Sequence, residues 1–184
     1  MRIGYDAKRY FLNKTGLGNY SRDLIRILEV YYPSNEYIKY TPKIKGYWFE
    51  DNNIKLPKGR LNNLLPSLWR SNGIIKDLQN DDIDIYHGLS GEIPKGLKKT
   101  PIKTIVTIHD LIFLKFPELY RPIDRFLYNK KFSYAVNNAD KIIAISEQTK
   151  KDIIQYYHIE AHKIDVIYQG CHPAFKTQKT QEEK

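Results

Sequence analysis

The chain has 184 residues, 41% hydrophobic and 28% charged, which is enough for one domain with a full core and barely for two. A single cysteine, Cys171, excludes both a disulfide framework and a cysteine metal site. The net charge of +9 would attract nucleic acid, anionic lipid or phosphorylated substrates, yet the basic residues are spread along the chain without an arginine-rich tract. Two loose clusters, Lys43, Lys45, Lys55, Lys58 and Arg60, then Lys95, Lys98, Lys99 and Lys103, read as solvated surface. No basic-then-apolar leader precedes the first strand, and no apolar run approaches the ~18 residues of a membrane span. The expectation is a cytoplasmic protein, at most peripheral on the inner face of a membrane.

In chain order, residues 1–5 predict a first strand. Asn13 to Asn19, with Gly16 and Gly18, predicts a turn, and the spacing of Leu17, Tyr20, Leu24 and Tyr31 predicts a helix after it. Pro33-Ser34-Asn35 ends that helix, and residues 37–41 read as the second strand. Residues 42–66 carry Pro, Gly, Asn and aromatics without a period, fitting a loop set or two short strands. A helix is expected from Pro66, with Asn72-Gly73 as an interruption, and residues 84–86 lead a strand to His87-Gly88.

The run Lys103-Thr104-Ile105-Val106-Thr107-Ile108 is near-continuously β-forming, as a strand covered on both faces requires. Residues 122–138 predict a helix opening on Pro122. Residues 140–145 predict another buried strand, and Ser146 an N-cap with Glu147 in the following helix, which runs to about Tyr157. Residues 163–167 form the last strand, and 176–184 a polar tail. Alternating strands and helices imply an α/β fold with a parallel sheet and right-handed crossovers.

Several constellations could carry chemistry. His109-Asp110 follows a buried strand at its carboxyl end, where open α/β sheets place ligands; its other readings are a satisfied loop histidine, an ion pair and a metal ligand. Gly16-Leu17-Gly18 sits between strand and helix, as a phosphate-cradling loop or as a tight turn. It is not a dinucleotide fingerprint, because Ser21 stands at the third glycine position and no acidic residue ends the second strand. His158-Ile-Glu160-Ala-His162 has the look of a zinc helix, but its glutamate is one place late, and no other His/Asp/Glu set has ligand spacing, so no metal is expected. Ser90 is not in a G-x-S-x-G elbow, so hydrolase chemistry is unsupported.

The segment from His109-Asp110 through Leu111-Ile112-Phe113-Leu114-Lys115-Phe116-Pro117-Glu118 resembles retaining GT-B glycosyltransferases of family 4. So do His87-Gly88 with the later Pro94, the run 139–147, and the run 163–170. Gln169-Gly170-Cys171-His172 departs from the usual Asn-Gly-Val-Asp of that family. The ordered matches cover residues 1–175.

The resemblance implies a Rossmann-like parallel sheet flanked by helices, the N-terminal, acceptor-side domain of a GT-B fold. It implies that 176–184 begins an interdomain linker and that the C-terminal nucleotide-sugar domain is absent. The implied reaction moves a hexosyl unit, a mannosyl unit foremost, from a nucleotide sugar such as GDP-mannose or a UDP-hexose to a glycan or polyprenyl-linked acceptor. It would proceed with retention and without a cofactor, and the 184-residue chain alone would be inactive. His109 is implied to contact the donor sugar near the reacting centre, and Gly16 and Gly18 to approach the donor diphosphate and the acceptor. Asp110, His87 and Glu92 are further candidate substrate contacts. Arg60, Trp69 and Arg70 around Leu64-Leu65 are candidate membrane anchors, with a core helix as the other reading. A basic α/β nucleic-acid-binding module is the competing function, although no reader motif or ordered basic stripe supports it.

Overall fold

The computed structural model describes residues 1–44, 53–59, 62 and 64–170. Seven parallel strands form one sheet: β1 (Arg2–Asp6), β2 (Glu36–Tyr40), β3 (Ile54–Lys55), β4 (Ile85–Gly88), β5 (Lys103–Ile108), β6 (Lys141–Ala144) and β7 (Ile164–Val166), in the order β3-β2-β1-β4-β5-β6-β7. β1 pairs with β2 through Ile3 and Tyr37 and with β4 through Ile3 and Ile85. Strand progression reverses between β1 and β4, so their carboxyl ends form the crevice in which such sheets bind ligands. Asp6 and His87-Gly88 end the two strands at this switch point, and His109 follows the neighbouring β5.

The long helices are α2 (Gly16–Tyr31), α6 (Pro122–Asn138) and α7 (Glu147–Tyr157). Shorter ones are α1 (Lys8–Leu12), α3 (Pro66–Leu68), α4 (Ile74–Asn80) and α5 (Ile112–Lys115). The expected interruption at Asn72-Gly73 is a π turn, Trp69–Gly73, joining α3 to α4. α7 begins as predicted: the Ser146 hydroxyl accepts the Thr149 amide at 3.1 Å. α2 begins at Gly16, inside the segment predicted as a turn. Asn13 supplies the reason, because its side-chain oxygen takes the Thr15 amide at 2.8 Å and the Gly18 amide at 3.2 Å, closing the turn before Gly16.

Apolar side chains cover both faces of the sheet: Tyr5 and Tyr37 pack with Ile25 of α2 on one, and two clusters lie on the other. Val106, Ile108, Ile142 and Ala144 pack with Phe113, Val136 and Ile153 of the helices, and Ile38, Tyr40 and Tyr86 pack with Trp69, Ile74 and Leu78. Val106, Ile108 and Ile142 are wholly buried, as near-continuous apolar runs in a parallel sheet require. β2 carries a buried Lys39, whose ammonium lies 2.6 Å from Glu29 on α2. Trp69, read from sequence as either a membrane anchor or part of a core helix, belongs to the core, and its indole N–H donates to Asp77 at 2.6 Å. Arg60 lies outside the described residues.

Candidate active site

The loop after β4 folds back across the ends of β4 and β5. Gly88 permits this, since a Cβ there would stand 2.1 Å from the Glu92 carbonyl oxygen. Gly91, at φ +74°, hydrogen-bonds its amide to Thr107 O at 2.9 Å. The returning loop gives His109 its partner: the Nε2–H donates to Leu89 O at 3.0 Å. With the proton on Nε2, Nδ1 is an acceptor, and the exposed Gln169 amide donates to it at 3.1 Å. Burial lowers the His109 pKa, against the opposing pull of the Leu89 bond and Asp110, so the imidazole is neutral at pH 7.

Tyr20 of α2 stands edge-on to the His109 ring, 4.7 Å between centroids at 88°. Its hydroxyl pairs with the Thr107 hydroxyl at 3.1 Å, and Thr107 in turn pairs with His87 Nε2 at 2.9 Å. His87 is 5% exposed, and burial, aided by the positive charge that His109 acquires in acid, pushes its pKa down to about 3. The sheet therefore encloses His87 beside Tyr5, where it bears on the crevice through Thr107 and Tyr20. Asp110 is exposed and caps the backbone of the next turn, accepting the Ile112 amide at 3.1 Å.

Tyr20 lies one turn into the helix that Gly16 opens, so α2 brings the glycine pair and His109 to one end of the sheet. The two glycines differ. Gly16 is exposed, with nothing within 4 Å of a Cβ placed on it, and its amide and that of Leu17 head the helix without a carbonyl partner inside it. Gly18 is buried, its amide taken by Thr15 O at 3.0 Å as well as by Asn13, and a Cβ would meet Asn13 O at 1.8 Å. Gly18 is thus needed for the turn itself, and the amides open to an anion are those of Gly16 and Leu17.

Across the returning loop lies a cluster that sequence reading missed. Asp6, 4% exposed, binds Arg70 bidentately, with Nε to Oδ1 at 3.1 Å and Nη2 to Oδ2 at 2.7 Å. Arg70 Nη1 reaches Glu92 at 2.8 Å, and Lys131 reaches Glu92 from the other side at 3.3 Å. Burial opposes the Arg70 charge, but Asp6 and Glu92 more than offset it and hold its pKa above the ordinary value. Arg70 is therefore fixed inside the crevice rather than free to meet a bilayer. A cavity of about 250 Å³ opens on this cluster between the π turn, the returning loop and α6.

Among the described residues no group of three or more His, Cys, Asp or Glu is placed to hold a metal ion. His158 ends α7 in the left-handed conformation, and the exposed His162 and Glu160 pair at 3.2 Å. No helix among the described residues is long and apolar enough to cross a membrane.

The fold is shared with solved glycosyltransferases. The chain matches a glycosyltransferase from Rickettsia africae ESF-5 at TM-score 0.57 and 17% identity, covering 99% of this chain and 47% of that one. It matches the apo form of the lipopolysaccharide outer core galactosyltransferase WaaB at 0.56 and 14%, covering 91% and 45%. Anabaena Alr3699/HepE, solved in complex with UDP, matches at 0.53 and 14%, covering 92% and 44%. The chain thus spans about half the length of these structures. No curated protein sequence matches it. The family model for Glycosyltransferase Family 4 matches residues 33–175, and with a seven-stranded Rossmann-like sheet of the GT-B kind the chain belongs to that family.

Proposed function

We propose that the chain is the acceptor-side domain, residues 1–175, of a retaining hexosyltransferase, and that a second, nucleotide-sugar-binding domain completes its cleft. The donor is a nucleotide sugar, GDP-mannose or a UDP-hexose, and the acceptor is a hydroxyl of a glycan or lipid-linked glycan at the cytoplasmic face of a membrane. The UDP in the Anabaena structure supports a nucleotide leaving group.

The observation that carries the reading is the seating of His109. Its neutral imidazole is clamped through Nε2 to Leu89 O, braced by Tyr20, and covered at Nδ1 by the exposed Gln169, which a sugar hydroxyl can displace. Such a ring is held in one orientation before substrate arrives, so it stabilises the reacting sugar without reorganising. Charge develops on the leaving diphosphate, toward which the amides of Gly16 and Leu17 offer a helix N-terminus. Glu92 stands at the crevice as an acceptor for substrate hydroxyls.

The test is His109→Ala in a protein that joins this chain to its second domain. The loss falls on kcat, ~10²-fold for one polar group removed from an active site, with the melting temperature nearly unchanged. A stable variant with unchanged kcat removes His109 from the mechanism.

A further inference from the structure

The returning loop supplies the acceptor for the His109 Nε2–H, so whatever aims the Leu89 carbonyl also aims the ring. The Leu89 side chain is wholly buried with Tyr5, Ile25 and Tyr37, which fixes its own position. Its carbonyl is a separate matter, because that group turns with the backbone on the Ser90 side. There Gly91 stands at φ +74°, a conformation that glycine reaches freely and that costs the most entropy to hold. Two contacts hold it. The Gly91 amide donates to Thr107 O, and one residue later the Glu92 carboxylate is gripped by Arg70 and Lys131.

Of those two cations Arg70 is the rigid one. Its side chain is 13% exposed, against 49% for that of Lys131. Its Nε and Nη2 are engaged with Asp6 at the end of β1, which leaves Nη1 directed at Glu92 at 2.8 Å. A planar guanidinium bound at two points cannot swing as an ammonium on a flexible stem can, so the loop is fastened to the sheet itself. A buried cluster of this kind is a poor source of stability, because desolvating the charges offsets much of their attraction. What it secures is a single geometry.

We propose that Arg70 is a positioning residue for His109: from its seat on Asp6 it holds Glu92, and through Glu92 it aims the Leu89 carbonyl that fixes the ring. A reacting group works best when its neighbours hold it in the productive orientation beforehand, and this line of contacts does so from β1, across the π turn, to the end of β5. The inference rests on the reading of His109 as the ring that meets the donor sugar, and adds the residues that keep it in place.

Two substitutions cut the line at different points without leaving an unpaired charge in the core. Glu92→Ala frees the loop and leaves Asp6 paired with Arg70. Asp6→Asn with Arg70→Met removes the seat, and Glu92 keeps Lys131. The readout is water exchange of the His109 Nε2–H in proton–nitrogen correlation spectra of the 184-residue chain, which needs no turnover. In the unmodified chain this proton should be protected, and each variant should quicken its exchange roughly tenfold, the worth of one hydrogen bond. The two changes combined should quicken it no further than either, since both act on one line. Glu92→Gln, whose side-chain oxygen still accepts from Arg70, should keep exchange within about twofold of the unmodified chain. In a protein joined to its second domain, the Asp6/Arg70 variant should lower kcat roughly tenfold and leave KM within about twofold. An unprotected Nε2–H in the unmodified chain overturns the proposal, as does unchanged exchange in either variant. So does equal loss of protection at the β5 amides, which would mean general loosening of the fold. A raised KM with unaltered exchange would make Arg70 a substrate contact and overturn it too. Lost kcat in His109→Ala, with exchange unaltered in these variants, would leave the transferase reading standing and this one not.

Discussion

Gly16 and Gly18 are alike in sequence and unlike in the fold. Gly18 stands where a Cβ would overlap the Asn13 carbonyl, so Gly18→Ala must open the turn and its bonds to Asn13. Overpacking against backbone of this kind costs about 3 kcal/mol, roughly 10 °C in melting temperature for a chain of this size. Gly16→Ala meets open space at the head of α2 and should leave the melting temperature equal or slightly raised, since alanine lowers the entropy of the unfolded chain by ~0.5 kcal/mol. Thermal melts of the two variants check both statements; equal losses would show that the turn is not closed through Asn13. If the diphosphate approaches Gly16, the stable Gly16→Ala variant is also the one that raises KM.

At the scale of elements, β4, β5 and α2 are joined by the chain from His87 through Thr107 to Tyr20, and this makes the junction sensitive to acid. His87 has its pKa depressed from 6.5 to about 3, so the unfolded state binds the proton first. Stability is complete above pH 6.5 and is lost as the pH falls toward 3, at up to ~1.4 kcal/mol per pH unit. His109, also lowered, contributes in the same direction. Between pH 6.5 and 5, above most carboxylate titration, denaturant midpoints of the unmodified chain should fall, and those of His87→Gln should fall less by about that slope. Parallel slopes would place His87 in a more open setting than the core.

The same elements separate what the sequence reveals from what it hides. β5 was legible to the residue, and β6, β7 and α7 to within about two, because strands covered on both faces leave unbroken apolar runs and Ser146 is a local cap. α1 was not, since its five residues bury only Phe11 and it is held from afar, by Arg22 donating to Tyr10 O at 2.7 Å. β3, two half-buried residues at the sheet edge, has too little length for a period. His109 and Glu92 were legible as candidates from strand context and family resemblance. The Arg70 partnership was not, because Asp6 lies 64 residues away and the apolar neighbours of Arg70 suggested a bilayer instead. Gln169 escaped for the same reason: its contact with His109 spans 60 residues.

At the scale of the molecule, the strand ends gather His109, the head of α2 and the Asp6–Arg70–Glu92 cavity along one edge, open to one side. The chain spans about half of the solved structures it resembles. That a second domain completes the cleft is the central proposal of this account. The measurement that tests it most directly is release of nucleoside diphosphate from a nucleotide sugar in the presence of a glycan acceptor. It compares the 184-residue chain with a protein that joins it to the second domain. The account predicts sustained release by the joined protein and none by the chain alone; sustained turnover by the chain alone, or none by the joined protein, would contradict it.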